Sequence, residues 1–266
     1  GYKPELHHSQ MKTIVLPVDF SALSKHALNY ALGLAEQIGA GIMPVHSYAI
    51  PNTSATFSGS LTEMLAKNAQ ESMDDFLNNI PAHIPCQSKV TAFPLKEELQ
   101  HLSRDKSNIW VVMATHGVQD WLDHQLGTNA SHIINALHVP VFLIPEKSEF
   151  SFPIHHVLFA TDGLALSESV KKEWSTIKNE LDADAQAVQV VNEPQEAGFG
   201  RFEEMDLVKV FHKNLSGGLA TAEHLVQPQL TVAVHHKRSL LQGLFHSSAT
   251  KSLALQHDSP LVVLHE

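Results

Sequence analysis

An apolar run that ends in an aspartate occurs twice in this chain, and each occurrence begins a segment of domain size. MKTIVLPVDF, Met11 to Phe20, runs into Asp19, and HHVLFATDG, His155 to Gly163, runs into Asp162. The closing strands return too: VPVFLIPE at Val139 to Glu146 is echoed by SPLVVLHE at Ser259 to Glu266. Self-similarity at this period means two copies of one architecture. A fold that satisfies the first half must therefore satisfy the second.

The first half reads as strands alternating with helices. After Asp19, Ser21 stands where a helix N-cap belongs. Leu23, Ala27, Leu28, Ala31, Leu34, Ala35 and Ile38 then recur at helical spacing until Gly39, a C-cap residue. Gly41 to Tyr48 is a second strand, followed by the polar loop AIPNTSATFSGS. A helix over about Leu61 to Asn79, a third strand over Cys86 to Phe93, a short helix over Leu95 to Arg104 and a fourth strand over Asn108 to Ala114 complete the series. Ala130, Ile133, Ile134 and Leu137 keep helical spacing ahead of the strand Val141 to Ile144. Strands alternating with helices predict βαβ units, hence an α/β fold with a parallel sheet and right-handed crossovers. The second copy is compressed: Gly41 to Asn108 spans 67 positions, its counterpart Asp184 to Leu230 only 46. The deficit is the size of one strand-helix unit, so the second copy is expected to have lost or shortened one. The expected organisation is an extension over 1–10, native or added, a first domain over 11–146, a linker over 147–152 and a shortened second domain over 153–266.

Composition narrows the classes of function. A formal net charge of -10 gives no basic field for a general nucleic-acid or anionic-membrane surface. Phosphate remains open as a ligand, because main-chain N–H groups can hold it. Cys86 is the one cysteine, which leaves no disulfide framework and no thiolate metal cluster. No apolar run reaches the roughly 18 residues of a membrane span. A cytoplasmic location is the expectation.

In an open parallel sheet, ligands sit beyond the carboxyl ends of the strands where strand order reverses. Pro17-Val18-Asp19 ends the first strand and Ala114 to Gly117 follows the fourth. Gly127-Thr128 precedes a helix, whose N-terminal N–H groups suit a phosphate. The Thr128 hydroxyl could add a phosphate contact or a Mg²⁺ ligand. The residues alone point to a mononucleotide-type site.

The spacing Ala114-x2-Gly117-x9-Gly127-Thr128, behind a strand ending in Asp19, resembles the Gly-x2-Gly-x9-Gly-Ser/Thr loop of ATP-binding members of the universal stress protein family. The first glycine of that pattern is alanine here. The resemblance covers both halves and implies two tandem open, parallel, five-stranded sheets of order 3-2-1-4-5, of the adenine nucleotide alpha hydrolase-like, Rossmann-like kind. It implies that the edge strands Val141 to Ile144 and Leu261 to Leu264 pair antiparallel, with room left for a homodimer. Carried over residue by residue, it places Pro17, Val18 and Asp19 beside adenine and ribose, and Ser47 at the border of the adenine. Met113 and Ala114 would border ribose and phosphates, and Gly117, Gly127, Thr128 and Asn129 would hold the phosphates. ATP, with Mg²⁺, is the implied ligand. Asp120 and Asp123, in a loop without Lys or Arg, repel a triphosphate unless Mg²⁺ intervenes.

The second copy keeps less. At the same spacing it reads Ala233-x2-His236-x9-His246-Ser247, and a His at the helix entry blocks close backbone approach. Nucleotide is therefore expected in the first domain alone, with Asp162 acting as a turn or capping residue. An ATP-binding stress-response or regulatory protein, rather than an enzyme, is the reading; no nucleophile elbow or positioned base is visible. Two alternatives stand beside it. One is a nucleotide-free interaction scaffold, in which Asp19 merely caps the first helix. The other is metal binding through some of the 19 histidines, although adjacent pairs such as His155-His156 point to opposite faces of a strand.

Overall fold

The computed structural model describes residues 11–48, 59–104, 108–115, 133–235 and 259–266. Gly117, Gly127, Thr128 and Asn129, the acidic loop with Asp120 and Asp123, and His236, His246 and Ser247 lie outside the described residues. In the first half, β1 (Thr13–Pro17) leads through α1 (Ala22–Ile38) to β2 (Gly41–Ser47), then α2 (Gly59–Leu77), β3 (Lys89–Thr91), α3 (Leu95–Leu102), β4 (Ile109–Thr115) and β5 (Val141–Pro145). The second half runs β6 (His156–Thr161), α4 (Glu168–Leu181), β7 (Asp184–Val191), β8 (Gly198–Phe202), β9 (Met205–Phe211), α5 (Leu215–Val226), β10 (Leu230–His235) and β11 (Leu261–His265).

All the strands join one sheet of order β3-β2-β1-β4-β5-β11-β10-β6-β7-β9-β8. Each half contributes the order 3-2-1-4-5, once β8 is set aside as an addition at the far edge. β5 and β11 pair antiparallel through Leu143–Leu261, Phe142–Val262 and Val141–Val263. That pairing hides two fully apolar edges in each other, which is the physical need that such edges create.

Local chemistry explains the first turn of the chain. Ser21 caps α1, its hydroxyl accepting from the Ser24 N–H, and Gly39 closes the helix in the left-handed conformation at φ 67°. Ala27, Leu28, Ala31, Leu34 and Ala35 are buried at the expected spacing. Alternation along the strands then separates two cores. Ile14, Leu16, Trp110 and Val112 face α1 and Phe76 of α2, whereas Val15, Val111 and Met113 face Leu99 of α3 and the segment Ile133 to Leu137. Residues 133–136 are helical, as the spacing predicts.

One expectation needs correction, and the other is made specific. The third strand is Lys89–Thr91 alone; Cys86 is exposed and makes only an isolated bridge with Ile42. In the second half one unit is shortened, as the length predicts, while all five strand positions are filled among the described residues. The segment between β7 and β9, which corresponds to α2, carries a single 3-10 turn at Pro194–Glu196 and the strand β8. β8 pairs antiparallel with β9 across a two-residue turn. The missing residues are thus those of a long helix, and a short hairpin closes the gap.

The polar segment 147–152 is docked onto the fold. Phe150 and Phe152 pack on Tyr30 of α1, each with ring centroids 5.2 Å away. His26 donates through Nε2 to the Pro145 carbonyl at 3.0 Å, and the Ser148 hydroxyl donates to the same oxygen at 2.7 Å. Gln37 reaches from α1 into the second half, donating to the carbonyls of Ile154 and Leu181, both at 2.9 Å. It also accepts from the Ile154 N–H at 2.7 Å. At the opposite end of β1, the buried Lys12 places its ammonium 3.7 Å from Glu180 of α4 and 4.8 Å from the Trp110 ring centroid.

Candidate functional site

The sheet opens where strand order reverses. β1 pairs with β2 as far as Pro17–Val45 and β4 with β5 as far as Thr115–Pro145. Between β1 and β4 the ladder ends earlier, at Val15–Val111. Beyond that pair the two strands diverge, leaving Leu16, Pro17 and Val112 to Thr115 on the two sides of a crevice. β6 and β10 part in the same way after Phe159–Val232, while β6 continues along β7 to Thr161–Gln189. The crevice therefore belongs to the architecture, and chemistry must distinguish the halves.

On the β1 side, Asp19 is exposed and forms a local turn. Its Oδ1 accepts from the Ser21 N–H at 3.0 Å and from the Ser24 hydroxyl at 2.6 Å; the Ser24 hydroxyl in turn accepts from the Asp19 N–H. Partial burial works to raise the carboxyl pKa, but the hydrogen bonds from Ser21 and Ser24 outweigh it, and the pKa lies below the ordinary value. Asp162 forms the equivalent turn in the second half, its Oδ1 accepting from the Leu164 N–H at 2.9 Å. It acts as a turn residue, and Ser167 caps α4 instead.

The residue after each aspartate is left-handed: Phe20 has φ 66° and Gly163 φ 86°. Glycine adopts that conformation freely, whereas a bulky aromatic is a conformational outlier there. Phe20 is held by its ring, 4.4 Å from the His46 ring and 5.9 Å from Phe76. His46 also donates through Nδ1 to the Val18 carbonyl at 2.8 Å, and Gln189 does the equivalent for the Asp162 carbonyl at 3.0 Å. Both strand ends are therefore braced by the neighbouring strand, a role that neither His46 nor Phe20 announces in the sequence.

Of the remaining expected site residues, Val18 and Met113 are buried and Ala114 is half-buried. Met113 packs in the core facing α3, so its side chain is structural and only its backbone borders the crevice. Ser47 ends β2 and donates to the Phe93 carbonyl at 2.7 Å; that bond explains its hydroxyl locally. Pro17 is the last paired residue of β1. The structure thus brings Pro17, Val18, Asp19, Met113 and Ala114 to one end of two adjacent strands, with Ser47 one strand further out. It adds one residue that sequence spacing missed. Thr115, the last residue of β4, is 4% exposed, and its Oγ1 has no hydrogen-bond partner among the described residues. A buried hydroxyl without a partner is costly, and this one stands at the mouth of the crevice, two residues before Gly117. Among the described residues no group of three or more His, Cys, Asp or Glu side chains is placed to hold a metal ion. No described helix is long and apolar enough to cross a membrane.

Comparison with known proteins agrees with this architecture. Residues 11–145, just over half the chain, match the family model described as "Universal stress protein family". No curated protein matches. Among solved structures, a universal stress protein from Archaeoglobus fulgidus DSM 4304 superposes with a TM-score of 0.66 at 14% identity, over 96% of each chain. A functionally unknown protein from Pseudomonas aeruginosa PAO1 gives 0.54 at 13% identity, over 96% of this chain and 93% of its own. A putative universal stress protein from Pseudomonas aeruginosa UCBPP-PA14 gives 0.52 at 11%, over 96% and 94%. At these identities the likeness is one of fold.

Proposed function

Since the chain belongs to the universal stress protein family, we propose that it is a regulatory protein that binds an adenine nucleotide, ATP with Mg²⁺, at the β1–β4 crevice of its first half only. The observation that carries this reading is the unpartnered, buried Thr115 hydroxyl where that crevice opens, directly ahead of the spaced glycines Gly117 and Gly127. A polar ligand there would give the Thr115 hydroxyl the partner that the described residues do not supply. Adenine and ribose would lie against Val18 and Asp19, and the phosphates against the backbone of Gly117, Gly127, Thr128 and Asn129. Mg²⁺, when bound, would offset the charge of Asp120 and Asp123 beside the triphosphate.

The protein would act through binding rather than turnover. Nucleotide in the first half would favour one arrangement of the two halves and so change the surface that a partner meets. The β5–β11 seam, Gln37 and the docked 147–152 segment are the contacts through which such a bias would pass. The second half, with His236 and His246 in place of glycines, would serve as a structural partner.

A specific observation favours one other reading, a nucleotide-free scaffold. Asp162 makes the same turn bond as Asp19 in a half that lacks the glycine loop, so Asp19 needs no ligand to explain its presence. Mass spectrometry of the small molecules released by heating the purified protein, followed by ATP titration with and without Mg²⁺, separates the two. Adenine nucleotide in the released fraction and saturable binding support the sensor; a folded protein that binds no ATP at millimolar concentration supports the scaffold.

A further inference from the structure

The sheet has two outer edges, and they differ. β3 is three residues long. β8 is five residues long, and four of these, Gly198 to Arg201, are not buried. Phe199 is 89% exposed, far outside the ordinary range for a phenylalanine. The strand carries no proline or lysine to discourage pairing.

The turn at Glu203-Glu204 sets which main-chain groups face outward. Phe202 and Met205 flank it as a pair, and the hydrogen-bonded turn joins the Phe202 carbonyl to the Met205 N–H. In an antiparallel ladder, hydrogen-bonded residues alternate. Phe202, Gly200 and Gly198 therefore direct their N–H and C=O groups at β9, and those of Phe199 and Arg201 point away from the sheet.

Gly200 lies between these two. A Cβ built there meets only Leu207 Cδ2 at 3.8 Å, an ordinary contact, and its φ is not in the left-handed range. Among the described residues nothing requires glycine at this position. Glycine in a strand interior often marks a bulge, a bend, or a place where a ligand or another backbone approaches closely, and β8 pairs with β9 in unbroken register without a bulge.

We propose that β8 is a self-association edge, on which a second copy of this chain pairs its own β8 antiparallel about a two-fold axis at Gly200. In that register Phe199 faces Arg201 of the second copy, and Arg201 faces the second copy's Phe199. These are the residues with outward main-chain groups, so both pairs are hydrogen-bonded. Gly200 meets its own counterpart in a non-hydrogen-bonded pair, where Cα atoms come closest, at about 4.5 Å. Phe199 and Arg201 share one face of the strand, so each guanidinium lies beside an aromatic ring, an attractive pairing of opposite electrostatic character. Arg201 is held ready by Asp206, 2.6 Å away, and by the Glu204 carbonyl at 3.0 Å. The chain already joins its own two halves by antiparallel edge pairing at β5–β11, and β8 would extend the same device between molecules. An isologous contact of this kind closes at two copies.

Sedimentation of the full chain over a range of concentrations tests the assignment, together with Phe199→Lys, which sets like charges across both pairs at a position exposed enough to leave the fold intact. The wild type is expected to reach the mass of two copies, and the variant to stay at one. A Gly200→Cys variant in a Cys86→Ser background gives an independent readout: mild oxidation is expected to yield a covalent dimer, because the two sulfurs face each other within disulfide range, while Phe199→Cys in the same background crosslinks weakly. A wild type that remains monomeric throughout, a dimer unaffected by Phe199→Lys, or the absence of a Gly200→Cys crosslink in a dimeric sample would each overturn the proposal.

Discussion

Gln37 offers a sharp test of how the two halves are held. Its amide donates twice and accepts once, all to main-chain groups beyond the 147–152 segment, at 2.9, 2.9 and 2.7 Å. A net hydrogen bond contributes about 1 kcal/mol. Gln37→Ala should therefore cost about 2–3 kcal/mol, some recovery coming from water at this partly exposed site. Gln37→Glu keeps the size and the acceptor that serves the Ile154 N–H, but turns an anionic oxygen toward the carbonyls of Ile154 and Leu181. It should destabilise more than alanine does, although it is the closer isostere. Urea denaturation measures both. With a slope of about 2–3 kcal/mol/M, the alanine variant should move the midpoint down by about 1 M. A shift for alanine that corresponds to less than about 0.5 kcal/mol, or a glutamate variant no worse than alanine, would refute the view that this amide pins the halves.

Further outcomes follow from single groups. The Tyr30 hydroxyl is fully buried without a hydrogen-bond partner among the described residues, and burial pushes its pKa well above the ordinary phenol value; Tyr30→Phe should raise stability by about 1 kcal/mol, and a loss in urea denaturation would contradict this. Gly33→Ala places a methyl group in the Phe152 ring and should cost about 1–3 kcal/mol, a penalty that thermal melts should find reduced in a Phe152→Leu background. Asp19 has its pKa depressed in the fold, so its contribution is present above the unfolded value of about 3.9 and is lost as pH falls through the folded value. Asp19→Asn should accordingly flatten the acid limb of a stability-versus-pH curve, and an unchanged limb would count against the turn bonds as its cause.

Much of the fold was legible because it rests on periodic or local signals. Ser21 and Gly39 cap α1 as their types predict, and the apolar runs 141–144 and 261–264, too apolar to remain open edges, pair with each other. Other features depend on contacts that no window of sequence contains. Segment 147–152 reads as a polar linker, yet Phe150 and Phe152 find Tyr30, which lies more than a hundred residues away. The compression of the second half was visible as a length, but which element had gone was not, because residues 198–202 carry too weak a strand pattern. Phe20 carries no mark of its left-handed backbone; only Gly163, at the same place in the second copy, hints at it. At the candidate site, strand ends and glycine spacing were legible. Thr115 was not, since its importance lies in having no partner among the described residues, which is a property of packing.

The central claim is a single adenine-nucleotide site on a chain that contains the architecture twice. Isothermal titration of the full chain with ATP and Mg²⁺ tests it most directly, with Gly127→Val as the blocked form. The account predicts one nucleotide per chain, lost in Gly127→Val. Two nucleotides per chain, or none in a folded protein, would contradict it.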